Sequence, residues 1–213
     1  MKTKAYEHQK EMVRFACDEG KSLFLCGTGT GKAWASLSVC EKMKVKTLVV
    51  CPASLITNWG AEIEKHTNLS AILLQGTLDK RKELLKGTAD IYVINYEILV
   101  KMEKELIRMN FGLVIIDEIH RAKGRTTKQS KSLYNISRFI RNRIGMSGTL
   151  IANGYEDLYM PCKIINQDIF GTRWKTFEEL FIVKYGATSS RVYAIDISAR
   201  LFLSVSTFLY PTV

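Results

Sequence analysis

No stretch of this sequence is apolar for long enough to cross a membrane; even Leu201 to Leu209 is too short and carries Ser and Thr. Met1-Lys2-Thr3-Lys4 leads into polar residues and not into the apolar core of an export signal, so no membrane partner is expected. Cysteine pairs are also missing. Cys17, Cys26, Cys40, Cys51 and Cys162 are odd in number, form no C-x-x-C and have no histidine at metal-ligand spacing. They read as buried, reduced thiols in the cytoplasm or another reducing intracellular compartment. Internal repeats, low-complexity tracts and linkers are absent too. Finally, Asp and Glu are missing between Arg121 and Arg143, where Arg121, Lys123, Arg125, Lys128, Lys131, Arg138, Arg141 and Arg143 lie. Such a run is either a solvated face or a surface for a phosphate backbone.

What is present suits one ordinary globular domain, or one with a small appendage: 213 residues, 46% hydrophobic, 24% charged, net charge +10. Apolar runs of strand length recur at Leu23–Cys26, Thr47–Cys51, Ala71–Gln75, Ile91–Asn95, Leu113–Ile116 and Arg143–Met146. Amphipathic stretches lie between them at Ala33–Lys44, Leu55–His66, Leu78–Lys86, Tyr96–Met109 and Lys128–Ile140. This alternation predicts an α/β fold, a parallel sheet flanked by helices on both faces. The pattern stops after Gly186. Residues 1–186 are read as one lobe and 187–213 as a tail, either an extra helix or irregular.

Two segments carry chemistry. Leu113-Val114-Ile115-Ile116 runs into Asp117-Glu118-Ile119-His120, which puts two carboxylates and a histidine just beyond the carboxyl end of a buried strand, where open α/β sheets bind ligands. Acidic residues at a helix N-terminus are the plainer alternative. Upstream, the strand Ser22–Cys26 is followed by Gly27-Thr28-Gly29-Thr30-Gly31-Lys32 and a helix from Ala33. Strand, glycine-rich loop and helix are the context of a phosphate-binding loop, in which backbone N–H groups, a lysine and a helix N-terminus converge on an anion. Ala33 stands where such loops carry a Ser or Thr that binds Mg²⁺, and a methyl group cannot ligate a cation. Thr28 and Thr30 precede the lysine, and the usual loop geometry does not bring them to the metal.

With these placed, Asp117-Glu118-Ile119-His120-Arg121-Ala122-Lys123 resembles the DEAH-type box of superfamily 2 helicases. Cys51-Pro52-Ala53-Ser54-Leu55 with Asn58-Trp59 and Glu62, then Asn95-Tyr96-Glu97, resemble motifs of the Swi/Snf branch. Ser147-Gly148-Thr149-Leu150-Ile151-Ala152-Asn153 is similar to its S/T-G-T-P-I-x-N motif, with Leu150 at the proline position. Asp157-Leu158 and Asn166-Gln167-Asp168-Ile169-Phe170-Gly171 match the connection beyond it, and His8-Gln9 is similar to the adenine-reading element.

The resemblance, from about Tyr6 to Tyr185, implies a single RecA-like N-terminal lobe. It implies that ATP is held by Gln9, Thr28, Gly29, Thr30, Gly31, Lys32 and Ala33, with Asp117 organising Mg²⁺. Glu118 would polarise the attacking water, and His120 would link the nucleotide to Ser147, Gly148 and Thr149. Ser54, Arg121, Lys123, Arg125 and Lys128 would face double-stranded DNA, and Ser54 could also cap the helix that starts at Leu55. Trp59 reads as core. A second RecA-like lobe, the expected source of an arginine finger, has no counterpart after Gly186, so little ATPase is expected from this chain alone. The competing reading is a non-catalytic module that binds DNA or protein. A self-sufficient P-loop kinase or GTPase would need an acceptor lid or an N-K-x-D type motif, and neither is found.

Overall fold

The computed structural model describes residues 1–148, 154–185 and 189–192. A helix, α1 (Glu7–Glu19), leads into β1 (Lys21–Leu25) and α2 (Lys32–Met43). Then follow β2 (Thr47–Cys51), α3 (Ile56–His66), β3 (Ala71–Leu73), α4 (Leu78–Leu84), β4 (Ile91–Asn95), α5 (Leu99–Arg108), β5 (Leu113–Asp117), α6 (Lys128–Ser137) and β6 (Asn142–Ser147). Two further helices, α7 (Tyr159–Ile165) and α8 (Trp174–Phe181), precede β7 (Ile182–Tyr185) and β8 (Ser189–Val192).

Strands β1 to β6 form one six-stranded sheet, ordered β1-β6-β5-β2-β4-β3 and parallel throughout. Their side chains alternate between two buried layers. Leu48, Val50, Tyr92, Ile94, Val114 and Ile116 pack with Leu99, Met102, Leu133 and Ile164 from α5, α6 and α7. Val49, Cys51, Ile91, Val93, Leu113 and Ile115 pack with Met12, Leu37, Trp59 and Ile63 from α1, α2 and α3. Burial on both faces is why these strands read as unbroken apolar runs. Among the described residues no helix is long and apolar enough to cross a membrane.

The register sets where the strands finish. Leu25 pairs with Ser147, Asp117 with Met146, and Cys51 with Asn95, so five neighbouring strands end along one edge. The expected alternation is therefore found, with shifted ends. A short 3-10 turn at Ala53–Leu55 takes in the first residue of one expected helix, and another at Tyr96–Ile98 occupies the first three of a second. Helices α1, α7 and α8 fall outside the expected set. Ser54 does not cap α3: the helix starts at Ile56 without a side-chain cap, because the turn before it is closed by the Leu55 N–H on the Pro52 carbonyl (2.9 Å). Beyond Gly186, Ser189–Val192 is a strand paired antiparallel with β7.

Arg143 departs from the reading of the basic run as a single outward face. Its guanidinium donates to the carbonyls of Ile140 (2.8 Å), Ile164 (3.3 Å) and Ile165 (3.2 Å), so it ties the end of α7 to the turn after α6. Burial holds its pKa below the usual arginine value. The last carbonyls of a helix need such a donor, and Arg143 is spent on them.

Candidate functional site

The sheet order brings the ends of β1, β6 and β5 together, and with them the glycine-rich loop, Ser147-Gly148 and Asp117-Glu118. In the loop, Gly29 (φ 78°) and Gly31 (φ 79°) are left-handed. A Cβ on Gly29 would meet nothing within 4 Å, so the space beside the loop is open there. At Gly31 a Cβ would collide with the Gln9 amide, so glycine is what leaves that amide its place against the loop. Gln9 is held at both ends of its amide: Oε1 accepts from the Tyr6 N–H (3.0 Å) and Nε2 donates to the Thr30 carbonyl (3.3 Å). The ring of His8 reaches the same carbonyl at 3.0 Å.

Lys32 arches over the loop, its Nζ donating to the carbonyls of Cys26 (2.6 Å) and Gly27 (2.7 Å). Thr30 Oγ1 donates to Gly27 O at 3.0 Å, and Thr28 is exposed. Ala33 packs its methyl group against the α1–α3 layer. The next hydroxyl after it, Ser36, is turned back on the Ala33 carbonyl at 2.9 Å. The hydroxyls of Thr30 and Ser36 are thus committed to loop and helix carbonyls.

Asp117 ends β5 and is half-buried. Its Oδ2 accepts from the indole N–H of Trp59 at 2.9 Å. Burial raises its pKa above the ordinary aspartate value; the Trp59 bond opposes this, Glu118 adds to it, and the Lys32 charge lowers it. Trp59 is 2% exposed, which agrees with its reading as core, but its donor serves the site. Behind the same strand end, buried Tyr96 donates its hydroxyl to the Asp117 carbonyl at 2.8 Å, and burial pushes that hydroxyl's pKa well up. Sequence motifs flagged both aromatics but not these partners. The signal available was chemical: a donor-bearing aromatic in a segment otherwise read as core.

Glu118 is left-handed (φ 52°, ψ 51°), an unusual conformation for a residue with a Cβ. The turn aims its carboxylate at His120, whose Nδ1 lies 3.1 Å from Glu118 Oε2 and 3.0 Å from Ser147 Oγ. Histidine therefore bridges the carboxylate and the end of β6. Gly148 lies alongside the start of the loop, its notional Cβ 4.0 Å from the Cys26 carbonyl. Thr149 lies outside the described residues.

The expected nucleic-acid residues divide into two groups. Ser54, Arg121 and Lys128 are exposed at the same edge of the sheet. Lys123 is paired with Asp157 at 3.1 Å, and the Arg125 guanidinium lies 3.7 Å over the Trp174 ring. The latter two are engaged within the chain. A further network on this edge was not foreseen: Arg81 donates to Asn95 Oδ1 (2.7 Å), and Asn95 Nδ2 donates to Glu97 (2.6 Å).

The model of the SNF2-related domain matches residues 2–209 of this chain. Over 136 residues the chain is 32% identical to the ISWI chromatin-remodeling complex ATPase ISW1 of Saccharomyces cerevisiae, which takes in 61% of this chain and 12% of that protein. It is 32% identical over 176 residues to Nuclear protein STH1/NPS1 of the same yeast, 76% of this chain and 13% of that one. With the human DNA repair and recombination protein RAD54B it shares 30% identity over 152 residues, 68% of this chain and 16% of that one. The matched region is thus a small part of each relative's length. Among solved structures, the Sulfolobus solfataricus SWI2/SNF2 ATPase core in complex with dsDNA has a similar fold. The TM-score is 0.75 at 22% identity, over 85% of this chain and 39% of that one.

Proposed function

The chain belongs to the SNF2-related domain family, with the fold of a SWI2/SNF2 RecA-like lobe, and on that premise we propose that it is the ATP-binding first lobe of a DNA-dependent translocase. It would close on nucleotide against a second RecA-like lobe, supplied elsewhere in a longer chain or by a partner, and would track double-stranded DNA along its backbone. The observation that carries this reading is the shared edge at which the loop of Lys32, the Asp117-Glu118 pair and the His120–Ser147 contact meet.

The residues present fit a nucleotide. The open space at Gly29 and the charge of Lys32 suit phosphate oxygens, and Gln9, fixed against the loop, would read the base. They fit Mg²⁺ in part. Such an ion is commonly held by one or two carboxylates together with phosphates and water, and Asp117 is one such carboxylate. Among the described residues no group of three or more acidic, histidine or cysteine ligands gathers, and Ala33 contributes nothing. Mg²⁺, when bound, would neutralise charge developing on the phosphates. Glu118 would then orient and polarise the attacking water, and His120 would report its state to β6. An arginine finger would come from the second lobe, so turnover by this lobe alone would be slow.

Ala33 and the committed hydroxyls of Thr30 and Ser36 favour one alternative, a binding module that has lost hydrolysis. The two readings separate in a single assay. The chain and its Ala33→Thr variant are mixed with a complementary second lobe, duplex DNA, ATP and Mg²⁺. A translocase lobe gives DNA-stimulated phosphate release that rises about tenfold on restoring the hydroxyl. Absence of any stimulation in both proteins would leave the binding module.

A further inference from the structure

Away from the nucleotide edge, α6, α7 and the segment leading into α8 enclose a cleft of about 410 Å³ lined by Arg125, Lys131, Lys163, Tyr134, Tyr159 and Trp174 among others. Among the described residues no carboxylate lines it. Glu103 and Glu178 bond to lining residues, Asn135 (3.0 Å) and Trp174 (3.1 Å), without joining the wall. Arg125 and Lys131 are exposed on its wall and Lys163 is half-buried, and two of these cations rest on aromatic rings. The Arg125 guanidinium sits 3.7 Å over the Trp174 ring, and Lys163 Nζ lies 4.9 Å from the Tyr134 ring and 5.5 Å from that of Tyr159 while donating to Thr172 O at 2.8 Å. Partial burial lowers the Lys163 pKa from the ordinary lysine value.

A second observation points to a ligand. Tyr159 is 2% exposed, and its hydroxyl has no hydrogen-bond partner among the described residues. The charged and polar groups that act on that hydroxyl are Arg125 and Tyr134, both walls of the cleft. A buried hydroxyl left unpaired is costly, and here it stands beside converging cations.

We propose that this cleft binds an acidic peptide segment. An anionic group of the peptide would lie between Arg125, Lys131 and Lys163 and accept from Tyr159 Oη, with an adjoining side chain against the Trp174 and Tyr134 rings. Duplex DNA fits less well, because a backbone track uses cations projecting freely from a surface, whereas Arg125 and Lys163 are held against aromatic rings at a cleft of side-chain dimensions.

The test uses the purified chain and fluorescein-labelled Glu-Glu-Phe-Glu-Glu, its Gln-Gln-Phe-Gln-Gln counterpart and a form with phosphoserine in place of one Glu. The acidic peptides should bind in a salt-sensitive way, and the neutral one about tenfold more weakly or not at all. Tyr159→Phe and Lys163→Gln should each weaken acidic-peptide binding by about tenfold and leave duplex affinity unchanged. The phosphoserine form binding more tightly than the all-Glu form would identify a phosphopeptide as the preferred acidic ligand. Equal binding of acidic and neutral peptides, or no effect of either variant, would overturn the proposal. So would displacement of the peptide by duplex DNA with a matching loss of duplex affinity in both variants, which would assign the cleft to nucleic acid. Tyr159→Phe removes a hydroxyl that had no partner, so it should melt no lower than the parent and keeps the test valid if Lys163→Gln misfolds.

Discussion

Trp59 donates its indole N–H to Asp117 across 58 residues of sequence, joining the buried face of α3 to the carboxylate at the end of β5. The bond holds that carboxylate in place and favours its charged form against the burial that disfavours it. A residue in the apolar layer therefore acts on the nucleotide edge.

Trp59→Phe keeps an aromatic ring in the core and removes the donor. Stability should fall by about 2 kcal/mol, from the lost bond to a half-buried carboxylate and the smaller ring. Mg²⁺-dependent nucleotide affinity should fall several-fold, whereas affinity without Mg²⁺ should hold. Titration of a fluorescent ATP analogue with and without Mg²⁺ reads the difference, and an equal loss in both would make Trp59 a packing residue only.

The raised pKa of Asp117 has a sign that can be checked. Below the ordinary value of 3.8 the group is neutral in the folded and unfolded chain alike and has no effect on stability. As pH rises from there through the higher folded value, the buried charge forms and stability is lost. Asp117→Asn should therefore raise the melting temperature at pH 7, by about 2–4 °C if the relief is near 1 kcal/mol. The gain should vanish in melts below pH 4. A gain that grows towards acid would contradict the assignment.

At Glu118 the left-handed backbone separates shape from chemistry. Glu118→Gly should stabilise the fold by on the order of 1 kcal/mol, because glycine adopts this conformation without strain. Glu118→Gln should leave stability near the parent's. Both should suppress DNA-stimulated hydrolysis in the presence of a second lobe. Denaturant melts and phosphate release together decide; a destabilised glycine variant would show that the Glu118 carboxylate is a structural anchor.

The basic run should not act as one unit. Alanine at Arg121 or Lys128 should weaken duplex binding and reduce its salt dependence by about one counterion each, with little effect on folding. Arg143→Ala should cost about 3 kcal/mol of stability, since it strips donors from the end of α7, and should leave the salt slope of DNA binding unchanged. Binding isotherms at several salt concentrations test both halves.

The sheet was readable in the sequence because strands buried on both faces are unbroken runs, as in Leu113–Ile116, and their spacing left room for little besides helices. The loop and the carboxylates were readable because each is contiguous. Partnerships were not. Trp59 with Asp117, Lys123 with Asp157 and Arg125 with Trp174 join residues on different elements, and periodicity reports which face a side chain occupies without naming what it meets. The basic run misled at Arg143 for the same reason, since a count of charges does not show which of them are turned inward to carbonyls. Helix α1 buries Gln9, Met12, Val13 and Ala16, a helical spacing present in the sequence but diluted by the charged residues around it.

The common finishing line of β1, β6, β5, β2 and β4 makes the lobe unequal in its tolerance of insertions and deletions. One residue gained or lost inside β5 would shift Asp117 by about 3.3 Å along the strand and reverse the face of every side chain on one side of the change. The same event in the turn at Gly87, outside the helices and strands, leaves every pairing in place. Length variation within such a chain should therefore gather at the edge of the sheet opposite the nucleotide, and the strands should change by substitution alone.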